Sequence, residues 1–335
     1  MQIVYISNRP DVLNETIKQV EKFMPFVDSA VVLCPALCKG QIIPPDTIHV
    51  EILLEEDLRQ GAVRNLSVLD HQSRNYLLRT KLIETEYVHD EFIMSDDDSR
   101  PIADVTLQDF KNNEKYRSYY FYDLEKWKYG ATEFDFGQRV TGILMRYLGL
   151  PHLSYASHMP QLINRKLFRE SATCFEKYAL KYPLCEWSTY FNYAHKHHAS
   201  AFSEPEAYRT LGWPDFPGTW PYYIRPAHFL FENYHPDMYV AGALFEGLPA
   251  SPDKAEADLA TLEKLIRLDQ LEAGRMKFSL HRCDPWRKKS FLHRFAAAAG
   301  HPLKKMLDIL MLEDKSAMLS IEKQLKAIRR DSDKR

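Results

Sequence analysis

Three consecutive carboxylates that follow a short apolar run constrain this chain more than any other feature. Residues 92–94 are typical of a buried strand, and three acidic side chains follow within two residues: Asp96, Asp97 and Asp98. Adjacent acids repel one another, so a fold gains from them only where a cation or a donor-rich ligand compensates their charge. At the carboxyl end of a strand in an α/β sheet, that partner is most naturally a divalent metal that holds a diphosphate. The alternative is a solvated acidic turn.

The composition limits the class of protein. The chain has 335 residues, enough for one large domain or two ordinary ones, and its 45% hydrophobic and 27% charged content is typical of a soluble globular protein. A net charge of −2 favours no nucleic acid partner. Five scattered cysteines without metal-site spacing indicate a reduced, cytosolic compartment. We find neither a signal peptide nor an apolar run long enough to span a membrane.

The first hundred residues read as a nucleotide-binding half. Residues 2–10 form a strand and a polar turn, after which Asp11 caps a helix with apolar residues at helical spacing. Apolar strands follow at 29–34 and 47–54. This order predicts a parallel sheet with crossover connections.

A basic helix precedes the acidic strand. In residues 70–83, Arg74 and Lys81 are seven positions apart and share a face. Because the helix leads directly into the acidic strand, both side chains could contact a phosphate held there. A solvated basic face on a packing helix is the alternative.

The order strand, helix, strand, strand, helix, strand, ending in Ser95-Asp96-Asp97-Asp98, resembles the GT-A glycosyltransferases with their Asp-x-Asp motif. The segment 74–102 also resembles bacterial surface-polysaccharide transferases, including the Stealth-type capsule enzymes, whose later His-x-Pro would be His158-Met159-Pro160 here. The resemblance implies an α/β fold: a GT-A-like (Rossmann-like) mixed sheet flanked by helices. Residues 1–250 would be the transferase domain, with 1–102 as the nucleotide-sugar half and 103–250 as the acceptor half.

The same resemblance implies a nucleotide-sugar donor held through Mn²⁺ or Mg²⁺. Asp98 would ligate the metal, and Asp96 would ligate it or contact the donor ribose or a metal-bound water. Asp97 would be the middle position, which tolerates replacement. His158 would contact the donor phosphate or the metal. Oxygen ligands are those that Mg²⁺ and Mn²⁺ prefer, which agrees with this reading.

The second half of the predicted domain should bind the acceptor. Aromatic residues are dense in 116–129, which favours either a sugar platform or a β-hairpin that buries alternate rings. Glu186 lies between Cys185 and Trp187, where partial desolvation would raise its pKa and suit a general base. It resembles the acid that GT-A enzymes place beneath the acceptor. Alternatively, Glu186 is only an acid at a helix N-terminus.

A loop rich in Pro, Trp and Tyr covers residues 211–236 and has the composition of an ordered lid. Either His228 or His235 could complete the metal shell, as a late His often does in GT-A enzymes. We carry His228 forward as the candidate ligand.

Residues 251–335 have a helical pattern and should form a C-terminal extension. From 281 to 335 there are 14 Lys/Arg against 7 Asp/Glu. Basic amphipathic helices bind anionic membrane surfaces. This favours peripheral attachment to the cytoplasmic face of the inner membrane, with a helical appendage or an oligomer contact as the alternative.

Taken together, these features predict a metal-dependent glycosyltransferase that moves a sugar from a nucleotide-sugar to a glycan or lipid-linked glycan acceptor, in bacterial cell-surface polysaccharide synthesis. The alternatives are a Stealth-type sugar-phosphate transferase and a non-catalytic glycan- or membrane-binding protein.

Overall fold

The computed structural model describes residues 1–58, 69–127, 133–211 and 229–234, together with residue 323. The aromatic loop is therefore described only at its ends, and both His228 and His235 lie outside the described residues. Apart from residue 323, so does the basic extension 251–335. Its helical character and the domain boundaries stay predictions.

The described chain alternates strands and helices. The strands are β1 (Gln2–Ile6), β2 (Ser29–Cys34), β3 (His49–Leu54), β4 (Glu91–Asp96), β5 (Ser99–Pro101), β6 (Lys111–Asn112), β7 (Lys115–Tyr116), β8 (Tyr119–Tyr120), β9 (Tyr122–Asp123), β10 (Leu153–Ser154), β11 (Gln161–Asn164), β12 (Glu206–Ala207), β13 (Thr210–Leu211) and β14 (Phe231–Asn233). The helices are α1 (Pro10–Phe23), α2 (Glu55–Leu58), α3 (His71–Glu84), α4 (Glu133–Leu148), α5 (Arg165–Ala179) and α6 (Glu186–His197).

The main sheet has the order β11-β4-β1-β2-β3. Strands β1 to β4 pair in parallel, and β11 runs antiparallel to β4 at one edge. The sheet and its helices confirm the predicted α/β class and the mixed sheet. The strand-helix order predicted for the first hundred residues is confirmed as well.

Strand β1 marks the place where the direction of the chain reverses across the sheet. The step from β1 to β2 runs one way, whereas the step from β3 to β4 returns across the sheet to the other side of β1. Because such crossovers are right-handed, α1 and α3 cover opposite faces. The crevice outside the carboxyl ends of β1 and β4 is then a topological switch point, where α/β sheets bind ligands. The acidic triplet begins at the end of β4.

Some local expectations need correction. Helix α1 begins at Pro10, with Arg9 at the N-cap position, because proline fits the first helical turn, so Asp11 lies inside the helix. The apolar spacing of residues 162–178 predicts one helix, but residues 162–164 belong to β11, because they pair with β4 at the edge of the sheet. Helix α5 begins only after Asn164, whose side chain accepts a hydrogen bond from the backbone N–H of Leu167.

Over its described residues, 116–127, the aromatic segment does not form the hairpin considered for it. Strand β8 pairs with β12, and β9 pairs with β10, so its short strands join other parts of the chain. Tyr119 is fully buried, while Phe121 and Tyr122 pack against Trp127. A sugar-binding role of this segment stays a prediction.

Within the described residues, two clusters of buried apolar side chains stabilise the fold. The larger one surrounds the main sheet, and the smaller one joins α3, α4 and α5 through residues such as Tyr76, Val140, Leu144 and Phe175. Among the described helices, none combines the length and the apolar character needed to cross a membrane.

Candidate functional site

Three potential metal ligands meet at the switch point. Asp96 is the last residue of β4, Asp98 precedes β5, and His158 lies between β10 and β11. One ligand atom from each of the three lies within 4.8 Å of the others. The structure thus brings together two of the three candidate metal ligands, Asp96 and Asp98, with His158, which sequence reasoning placed at the donor phosphate or the metal. The third candidate, His228, lies outside the described residues.

Asp98 and His158 have unsatisfied atoms that face each other. The Asp98 side chain is buried, and neither its Oδ1 nor the Nδ1 of His158 has a hydrogen-bond partner. These two atoms are 3.5 Å apart. The charge of the His158 ring partly compensates this buried carboxylate oxygen, which still lacks a hydrogen-bond donor. Carboxylate oxygens and an imidazole nitrogen are ligands for Mn²⁺ and related divalent ions, so this donor set fits the predicted cation.

The charges of this pair reinforce each other. Burial by itself raises the pKa of Asp98, but the His158 ring and the Arg9 guanidinium outweigh it and hold that pKa well below its usual range. Burial lowers the pKa of His158, whereas Asp98 and Asp96 raise it, to about 9 overall. At neutral pH the pair is therefore ionised on both sides. A protonated His158 ring carries a proton on Nδ1, and a cation that binds this nitrogen must displace it.

The middle acid, Asp97, is buried and fully engaged. Its carboxylate accepts a hydrogen bond from Ser7 Oγ at 2.7 Å and is paired with the Arg9 guanidinium. Thr16 Oγ1 donates to its backbone oxygen at 2.6 Å. These contacts argue against the expectation that Asp97 tolerates replacement.

Arg9 was missed by sequence reasoning. Its guanidinium pairs with Asp97 and also donates to Asp98 Oδ2 at 2.9 Å, while the side chain remains 44% exposed. The signal was available: Arg9 follows β1, and residues that follow neighbouring parallel strands meet at one edge of the sheet. It offers a positive charge at the mouth of the site.

A second network joins Glu186 to the acidic cluster. Arg79 donates through Nε to Glu186 Oε1 at 2.9 Å and through Nη2 to Asp96 Oδ1. The other Glu186 oxygen accepts from Gln72 Nε2 at 3.0 Å. Trp187 packs its ring against the Arg79 guanidinium, with 4.9 Å from the ring centre to Cζ. Sequence reasoning placed Glu186 correctly at the start of a helix, here α6, but overlooked Arg79.

The environment of Glu186 bears on its predicted role. The residue is 2% exposed, and both carboxylate oxygens accept hydrogen bonds. Burial raises its pKa more than the Arg79 charge lowers it. A raised pKa suits a general base, whereas the two occupied oxygens favour a positioning role through Arg79. The base assignment stays a prediction.

The basic residues proposed for phosphate contact have other partners. Arg74 is paired with the buried Glu55, which follows β3. Lys81 pairs with Glu84 at 2.8 Å and lines a cavity of about 690 Å³ between α3 and α5. Lys81 lies two positions after Arg79, which puts the two side chains on opposite sides of the helix. Arg79, rather than Lys81, is the basic residue of α3 that reaches the acidic cluster.

Comparisons with known proteins give weak similarity. The chain is similar to the solved structure of the galactosyltransferase LgtC in complex with donor and acceptor sugar analogs, with 14% identity and a TM-score of 0.40, covering 63% of this chain and 76% of that one. An active-site mutant of LgtC gives 14% identity and a TM-score of 0.38, with 63% and 75% covered. No protein-family model and no curated protein matches the sequence.

Proposed function

We propose that this protein is a metal-dependent glycosyltransferase that uses a nucleotide-sugar donor. The observation that carries the proposal is the cluster of Asp96, Asp98 and His158 at the topological switch point, with one buried, unsatisfied ligand atom on each of Asp98 and His158. Such a crevice is where α/β sheets bind nucleotides. The proposed cation is Mn²⁺ or Mg²⁺.

Each residue of the site has a physical task in this proposal. Asp96, Asp98 and His158 would hold the cation, whose chemistry when bound is to neutralise the charge of the leaving nucleoside diphosphate.

Arg9 keeps Asp97 and Asp98 together and adds positive charge at the entrance. Arg79 fixes the Asp96 carboxylate, and Glu186 and Gln72 fix Arg79 and its partner in turn.

The acceptor and the pathway belong to the proposal too. We infer a glycan or lipid-linked glycan acceptor, bound on the side of residues 103–250, in bacterial cell-surface polysaccharide synthesis. A peripheral position on the cytoplasmic face of the inner membrane, through the basic residues of 251–335, would bring the enzyme to a lipid-linked acceptor. These statements rest on the sequence resemblance and on the charge of that segment.

Product analysis tests the reaction class. The purified protein is incubated with labelled UDP- and GDP-sugars, an extract of lipid-linked glycans and Mn²⁺. We expect release of the nucleoside diphosphate, loss of release on Asp98→Asn, and normal release by Asp104→Asn, which changes an exposed acid outside the cluster. Equal turnover by Asp98→Asn and the wild type would contradict the site assignment.

A Stealth-type sugar-phosphate transferase is the second candidate. The observation that favours it is His158, which belongs to the His-x-Pro element of the resemblance and lies in the acidic cluster. In that case the same residues would serve phosphoryl transfer, and the released product would be the nucleoside monophosphate. Absence of any nucleotide binding with metal present would favour a non-catalytic protein instead.

A further inference from the structure

His158 has an unusual backbone conformation. Its φ angle is +46°, in the left-handed region that favours glycine. In the part of the chain that the structure describes, the other non-glycine residues with positive φ are Asn113 and Glu114, in the turn between β6 and β7. The left-handed conformation is strained for a residue with a Cβ atom. It persists only where the surrounding structure imposes it, which is frequent at functional sites.

Thr210 forms a hydrogen bond to the backbone of His158 from a distant part of the chain. Its Oγ1 donates to the carbonyl oxygen of His158 at 3.0 Å, and Thr210 is buried. Thr210 begins β13, which pairs in parallel with β14, and β14 in turn pairs antiparallel with β5. The hydroxyl therefore comes from a strand with a fixed position, 52 residues away along the chain.

The same small sheet also holds the backbone of Asp98. The N–H of Tyr234, just after β14, donates to the Asp98 carbonyl oxygen at 2.7 Å. The buried pair of Arg100 and Glu232 ties β5 to β14, with 2.6 Å between nitrogen and oxygen. One three-stranded sheet, β13-β14-β5, thus contacts the main chain of both residues whose unsatisfied atoms face each other.

We infer that Thr210 is a positioning residue for the metal site, an inference that rests on the proposed function. Its hydrogen bond keeps His158 in the left-handed conformation, and this conformation keeps Nδ1 against Asp98. Without the hydroxyl, the backbone of His158 relaxes toward an ordinary conformation and its ring leaves the cluster. Asp96 and Asp98 keep their own contacts with Arg79 and Arg9, so a site of two carboxylates remains.

Mn²⁺ binding by Thr210 variants tests this role. Thr210→Val removes the hydroxyl, and Thr210→Ser retains it. Thr80→Val is the matched control, because Thr80 Oγ1 also donates to a backbone carbonyl, that of Tyr76 at 2.8 Å, and Thr80 itself does not belong to the cluster. Electron paramagnetic resonance gives the Mn²⁺ affinity, and electron spin-echo modulation detects a histidine nitrogen bound to Mn²⁺.

We expect Thr210→Val to bind Mn²⁺ about 10-fold more weakly, as is common for residues that orient metal ligands, and to lose the nitrogen signal. Thr210→Ser and Thr80→Val should match the wild type in both respects.

If the wild type binds Mn²⁺ with a nitrogen signal and Thr210→Val does the same with equal affinity, the inference is wrong while the proposed function stands. If the wild type binds no Mn²⁺, the proposed function is wrong, and the inference that rests on it is wrong too. If circular dichroism shows Thr210→Val and Thr210→Ala unfolded, Thr210 is a general structural residue, and the inference fails as well.

Discussion

At the scale of single residues, the acidic triplet separates into different tasks. Asp98 has an unsatisfied oxygen toward His158, whereas Asp97 is saturated by Ser7 and Arg9. We expect Asp97→Ala to lower the free energy of unfolding by about 2 kcal/mol, because it leaves the buried Ser7 hydroxyl without its acceptor and Arg9 without one of its two carboxylates. Asp98→Ala should abolish metal binding, because it removes one of the three proposed ligands. Chemical denaturation and Mn²⁺ titration of both variants measure this contrast. Equal stability of Asp97→Ala and the wild type would contradict this prediction and would agree with the resemblance, which implies that Asp97 tolerates replacement.

Glu186 offers a second test at the residue scale. If it positions Asp96 through Arg79, Glu186→Gln should weaken Mn²⁺ binding and lower transfer together. If it is the general base, the same variant should lose about 100-fold or more in kcat at unchanged Mn²⁺ affinity. We expect the first result, because both of its oxygens are occupied by Arg79 and Gln72. Parallel measurement of the metal affinity and of kcat separates the two roles.

His195 gives a pH dependence that is independent of the metal site. Burial lowers its pKa to about 4, and its Nε2 lies 2.8 Å from Ser118 Oγ. The unfolded chain, with an ordinary histidine, binds the proton more readily. The contribution of neutral His195 to the free energy of unfolding is therefore fully present above about pH 6.5 and is lost as the pH drops toward 4.

We expect His195→Gln to reduce this acid-side loss by on the order of 2 kcal/mol, a value discounted for the partial exposure of the ring. His89→Gln, which changes an exposed histidine, is the control and should leave the profile unchanged. Urea unfolding at several pH values between 7 and 4.5 measures both. Identical profiles for His195→Gln and the wild type would contradict the pKa shift.

At the scale of elements, helix α3 shows what the sequence could predict. Its bounds and its place before the acidic strand follow from apolar spacing and from Asp70, whose side chain caps the helix by accepting from the N–H of Ser73. Which basic residue turns toward the cluster depends on how the helix packs, and the pattern of the isolated helix does not contain that information. For the same reason the sequence pattern does not predict β11. Its short apolar run continues into a helical pattern, and only its pairing with β4 makes it a strand.

The central role of Arg79 in α3 leads to a prediction for this element. Arg79→Met leaves the buried Glu186 without its charged partner and should cost about 3 kcal/mol of stability. Adding Glu186→Gln removes the unpaired charge and should recover most of this loss. Lys81→Gln, on the other side of the helix, should change stability by less than about 0.5 kcal/mol. Thermal unfolding of the wild type, Arg79→Met, Glu186→Gln and the double variant closes the cycle, with Lys81→Gln as the control. A fully additive double variant would show that the pair is not coupled.

At the scale of the whole molecule, the sequence predicted the sheet and the position of the acids, because both follow from local patterns and from the ends of parallel strands. It did not predict that His158 and Asp98 are held by β13 and β14, because those contacts join parts of the chain far apart in sequence. The site is therefore an assembly of both halves of the predicted domain.

We expect this assembly to bind a cation together with a nucleoside diphosphate. Isothermal titration of the full chain with UDP and GDP, with and without Mn²⁺, tests it most directly, with Asp98→Asn and Asp104→Asn alongside. We expect at least one diphosphate to bind to the wild type and to Asp104→Asn only when Mn²⁺ is present, and not to bind to Asp98→Asn. Binding that ignores both Mn²⁺ and the Asp98 substitution, or no binding of either nucleotide with Mn²⁺ present, would contradict it.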